Sequence, residues 1–106
     1  MDYAERLRRF TFNDERIDAE FADAAALDGK TFALARIAAL VAVGGAEPSF
    51  GAEADAAVGA GASPTEIVDV LVAVAPVVGL ARVVAAAPKL ALALGCDVGL
   101  AVGDEY

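Results

Sequence analysis

The residues able to do chemistry are few, and their places on the chain are informative. Between Thr31 and Cys96 the charged side chains are Arg36, Arg82, Lys89, Glu47, Glu53, Asp55, Glu66 and Asp69. The chain has no histidine, and Cys96 is its one cysteine. Dithiol redox chemistry needs an attacking thiolate and a second, resolving thiol. Cys96 cannot supply both, and it falls after an expected helix C-terminus, whose dipole disfavours a thiolate. Its alternative reading is a small apolar filler. No metal and no cofactor is expected.

Arg36 and Glu53 are the two candidates for a site. In helical projection Arg36 falls between Phe32, Leu40 and Val43, within an otherwise apolar side. A guanidinium placed there needs a partner, because an unpaired buried charge is costly. It is either the anchor of a substrate carboxylate, through its two-pronged donor geometry, or half of a structural ion pair with Glu53, Glu66 or Asp69. Glu53 lies at the edge of the stripe formed by Phe50, Ala54, Ala57 and Val58. It reads either as a general acid or base made less acidic by apolar neighbours, or as a boundary carboxylate facing water. Glu66 is explained by helix capping, and Asp69 beside it by a solvated face. Arg82 opens the last helix and can hold carbonyls or an acid across the joint before it.

The elements that must position these groups are helices. Alternation of period two is absent, and the aliphatic runs are too rich in alanine for a sheet. Asp28 caps a helix that runs to about Val43 and stops at Gly44-Gly45. Ser49, after Pro48, caps a short helix ending near Gly59–Gly61. Ser63-Pro64-Thr65-Glu66 places serine at the N-cap, proline at N1 and glutamate at N3, the pattern of a capping box. Pro76 should end or kink that helix, with Gly79 at the joint. A last helix is expected from about Leu80 to Leu94, bent or broken around Pro88 and stopped by Gly95. Ahead of all these, Asn13 to Asp23 should form an amphipathic helix with Ile17 and Phe21 on one side.

Composition bounds the partners. The 106 residues are 58% hydrophobic with a mean hydropathy of +0.59, enough for one domain with a modest core. The net charge of −8 argues against nucleic acid, which demands a basic patch, and against an acidic membrane surface. The best candidate span, Val70 to Ala81, is short of the ~20 apolar residues that cross a bilayer and contains Pro76 and Gly79. The first sixteen residues are dense in charge and lack the apolar core of a secretory signal. The single cysteine suits a reducing compartment, so the expected location is the cytoplasm. After Ser63 the apolar residues Ile67, Val68, Val70, Leu71, Val72 and Val74 sweep roughly 200° of helix surface. That is wider than one core contact requires, and it predicts burial against further copies of the chain.

Three segments, in order, resemble the carboxymuconolactone decarboxylase-like family. They are Leu27-Asp28-Gly29-Lys30-Thr31 with Leu34-Ala35-Arg36-Ile37-Ala38-Ala39-Leu40; Ala57 to Ile67 through the glycine turn and capping box; and Ala75-Pro76-Val77-Val78-Gly79-Leu80-Ala81-Arg82. The resemblance covers about residues 27 to 95. It implies an all-α fold of about five to six helices, assembled as a homotrimer or homohexamer. It divides the chain into a polar N-terminal helical arm over 1–26 and a helical domain over 27–106. The family includes decarboxylases of lactone acids and alkylhydroperoxidase-type members with a Cys-x-x-Cys pair.

This sequence departs from both patterns. It has no Cys-x-x-Cys, so thiol peroxidase chemistry is not carried over. By spacing from Gly61, the family's glutamate and histidine, four apart, fall on Ser49 and Glu53, and a further histidine falls on Ala73. Family catalysis is therefore not carried over by residue. The first functional reading is an enzyme of the decarboxylase (lyase) type acting on, or a protein binding, a small carboxylic acid, with Glu53 as the catalytic candidate and Arg36 and Ser49 as substrate-binding candidates. The alternative is a structural or ligand-binding member that kept the fold without the chemistry.

Overall fold

A computed structural model of the chain describes residues 3–13 and 26–96. Among these residues there are five helices and no strands: α1 Tyr3–Thr11, α2 Gly29–Val43, α3 Glu47–Gly59, α4 Pro64–Val78 and α5 Leu80–Ala93. The helix expected over Asn13 to Asp23 falls, apart from its first residue, outside the described residues.

Local chemistry sets most of the boundaries. The Thr31 N–H donates to Asp28 Oδ1 at 2.8 Å, which satisfies one of the free amides at the start of α2. α2 ends at Gly44, whose φ of 78° and ψ of 49° lie in the left-handed region that favours glycine. The Gly44 and Gly45 amides both donate back to the Leu40 carbonyl, at 2.9 and 2.8 Å. At α4 the capping box forms in both directions: the Glu66 N–H donates to Ser63 Oγ at 3.1 Å, and the Ser63 N–H donates to Glu66 Oε1 at 2.9 Å.

The first turn of α3 differs from expectation. Its N-cap is Ala46, not Ser49, and Ser49 lies inside the helix with its own N–H donating to the Ala46 carbonyl at 3.1 Å. Pro48 decides this, because its fixed φ and missing N–H suit the opening turn of a helix rather than the residue ahead of it.

Both Pro76 and Pro88 lie inside helices, and Gly79 stands at the joint as expected. α4 runs through Pro76 to Val78, and α5 through Pro88 to Ala93. The carbonyls that lose a donor belong to Val72 and Val84, and both residues are exposed, so water can replace the missing bond. Gly79 alone separates the two helices, at φ 89° and ψ 155°, a conformation that side-chain-bearing residues avoid.

The core lies within α2 to α5. α2 packs on α3 and α4, α3 on α5, and α4 on α5, which closes a ring of four helices. Each contributes a stripe at helical spacing: Ala33, Ile37 and Val41; Phe50, Ala54 and Ala57; Ile67 and Val70; Ala86 and Leu90. The largest wholly buried side chains are Phe50, Ile37, Ile67, Leu90 and Val41. Alanine fills much of the remainder, so neighbouring backbones approach closely and the core stays small.

Candidate functional site

The buried stripe of α2 is centred on Ile37, which turns Arg36 away from the core rather than into it. Arg36 is exposed. Its guanidinium carbon lies 5.6 Å from the centroid of the Phe32 ring one turn earlier, a cation–π contact. No carboxylate among the described residues forms an ion pair with it. Of the three acids considered as its partner, Glu66 is engaged elsewhere: Lys30 Nζ donates to Glu66 Oε2 at 2.9 Å, tying the start of α2 to the start of α4. Asp69 lies on the exposed side of α4.

Glu53, the third, shares a groove with Arg36. Two adjoining cavities lie along the outer side of α2 and α3. One, of about 390 Å³, is lined by Arg36, Ala39, Leu40, Ser49, Ala52 and Glu53. The other, of about 370 Å³, is lined by Phe32, Ala33, Arg36, Glu53, Ala56 and Ala60, with Gly29 at its end. Arg36 and Glu53 line both, so they stand at the junction of a single groove. Ser49, one turn before Glu53 on α3, lines the first cavity; its place inside the helix leaves its hydroxyl free of the capping duty expected for it. All three candidate site residues are therefore brought together, on two helices locked by the Asp28 cap and the Gly44-Gly45 turn.

The remaining candidates lie apart from the groove. Ala73 is on the exposed side of α4 and lines neither cavity. Cys96 is exposed just beyond α5, not the buried filler expected of it. Arg82 sits against the α2 terminus rather than the α4–α5 joint: a Cβ added at Gly44 would meet Arg82 Nη1 at 2.6 Å. Lys89 Nζ donates to the Gly45 carbonyl at 2.8 Å. Two cations thus gather at the carbonyl end of α2, where the helix dipole favours positive charge. Among the described residues no group of three or more Cys, Asp or Glu is clustered to hold a metal ion, and no helix is long and apolar enough to cross a membrane.

In α1 the hydrogen bond between Arg8 and Glu5 lowers the Glu5 carboxyl and raises the Arg8 guanidinium; across α2 to α5 the shifts lie at the helix starts. Glu66 is held below the usual carboxylate range by the Ser63 N–H and then by Lys30. The Thr31 N–H lowers Asp28 in the same way. Lys30 is raised by its bond to Glu66.

The sequence model of the carboxymuconolactone decarboxylase family matches residues 6–97. The chain belongs to that family. No curated protein and no solved structure matches it. For this family member the α2–α3 groove is lined by Ser49 and Glu53, on which the resemblance places the family's glutamate and histidine. Phe32 is the lining residue that sequence reasoning assigned to the core side alone; its place four residues before Arg36 was the available signal.

Proposed function

We propose that this carboxymuconolactone decarboxylase family member binds a small organic acid in the α2–α3 groove. Arg36 anchors the carboxylate, and Ser49 offers a hydrogen bond. The observation that carries this reading is that Arg36 lines the groove with no carboxylate among the described residues paired to it. Two donors of a guanidinium match the two oxygens of a carboxylate, and the pair is charge-assisted. Phe32 holds the guanidinium against its ring, which lowers the entropy lost when the ligand arrives. Glu53, at the same junction, is placed to exchange a proton with a bound acid, the role of a general acid or base in a lyase-type reaction. Stabilisation of the folded state by ligand tests the reading: acetate at concentrations far above its Kd should raise the Tm of the wild type and leave Arg36→Gln unchanged. An equal rise in both proteins contradicts it.

Self-association into a trimer or hexamer is the second proposal, supported by a different observation. α4 and α5 present Val68, Val72, Val77, Leu80 and Val84 outward, with Val77 84% and Leu80 72% exposed. Large apolar side chains grouped in this way mark a contact surface. Light scattering at micromolar concentration should give a mass that is a multiple of three chains; a monomer would overturn this proposal.

A further inference from the structure

We infer that the ligand of this groove is a monocarboxylic acid with a flat apolar arm, of the arylacetate kind, rather than a dicarboxylic acid. The inference rests on Arg36 as the anion anchor and adds the class of acid that the groove accepts. Charge decides the first half. Among the described residues lining the two cavities, Arg36 is the one cation and Glu53 the one carboxylate. A single carboxylate on the ligand is neutralised by Arg36. A second one, at the end of an arm in the second cavity, would find no further cation among the described lining residues and would meet an apolar wall in the field of a chain with net charge −8.

Shape and lining decide the second half. Beyond the Arg36–Glu53 junction, the second cavity is walled by Phe32 and Ala33 from α2 and by Ala56 and Ala60 from α3. None of these four side chains can hydrogen-bond a polar substituent. Their alanines leave a slot between two helices, with an aromatic edge on one side. The cavity, of about 370 Å³, is open to solvent along the groove and offers a ring one apolar wall. An aryl ring therefore fits there while its carboxylate stays at Arg36, one turn along α2 from Phe32.

The test compares acetate, phenylacetate and 4-carboxyphenylacetate by calorimetric titration at fixed ionic strength, on the full chain. Phenylacetate should bind at least tenfold tighter than acetate, because the ring leaves water for an apolar wall, and also tighter than the dianion. Leucine at the exposed Ala56 position (Ala56→Leu) narrows the slot without touching the core. It should abolish the preference for phenylacetate over acetate, with the Tm of the unliganded protein as the folding control. Glu53→Gln should bring the dianion closer to phenylacetate. Equal affinities for acetate and phenylacetate, or a dianion that binds tightest, would overturn this inference while leaving the Arg36 anchor intact. Failure of all three acids to bind, or binding that Arg36→Gln does not weaken, would overturn both.

Discussion

The Gly44-Gly45 turn ends α2 and leads into α3, the two helices that line the groove, and Gly44→Ala probes it. At φ 78° a side chain at residue 44 adopts the left-handed region at roughly 1–2 kcal/mol. The new Cβ also lies 2.6 Å from Arg82 Nη1, closer than contact permits. Arg82 is exposed and meets this position with the far end of a flexible side chain, so it swings aside at little cost. The backbone effect therefore dominates, and the sum is about 1–2 kcal/mol. For a domain of this size that corresponds to a fall in Tm of roughly 4–15 °C. Thermal melts followed by circular dichroism, with urea titrations to check that the slope is unchanged, measure it. Gly44→Asn should lose less, since asparagine tolerates this conformation. Adding Arg82→Ala to Gly44→Ala should restore less than about 0.5 kcal/mol, the usual limit for sites that do not couple. Full rescue by Arg82→Ala would show that the steric contact, and not the backbone, governs the turn. An unchanged Tm in Gly44→Ala would refute the left-handed geometry itself.

Arg36→Ala should cost no more than about 1 kcal/mol, the scale of an exposed cation–π contact, whereas Phe50→Ala should cost about 3–5 kcal/mol by emptying the core; paired melts compare them, and a large loss at Arg36 would mean that it is buried in an assembly. The acid limb of stability should begin as pH falls below about 5. The lowered folded-state pKa values of Glu66 and Asp28 contribute stability that is present above their unfolded values and lost as pH falls through the folded ones. Glu66→Gln should flatten that limb, and a limb unaltered in this variant would contradict the assignment. Hydroperoxide turnover with a dithiol reductant should be no greater in the wild type than in Cys96→Ala, because one exposed thiol has no resolving partner; turnover lost in the variant would oppose this.

What the sequence disclosed was its local chemistry. Asp28 and Ser63 announce their helices because a cap bonds an amide three residues away, and the partners Thr31 and Glu66 are adjacent in the chain. Gly44 announces a stop because a glycine alone takes the left-handed conformation there at little cost. The face that α2 buries was harder to read, because apolar residues and alanine surround that helix almost evenly, and projection then has no clear direction to favour. Projection accordingly puts Arg36 on the inward side, whereas the stripe through Ala33, Ile37 and Val41 places it outside. Pro76 and Pro88 could be judged only once the exposure of Val72 and Val84 was known. Lys30 and Glu66 are 36 positions apart, so no local pattern connects them. The groove itself arises from how two helices pack, which no local pattern gives, although Arg36, Ser49 and Glu53, which line it, are each visible as candidates.

The account turns on Arg36 holding a carboxylate. Titration of the wild type and Arg36→Gln with phenylacetate, against an equal concentration of chloride, tests that most directly. Saturable binding in the wild type, weakened at least tenfold in a variant that melts at nearly the same temperature, is the predicted result. Equal affinity in the two proteins, or no saturable binding in the wild type, would contradict it.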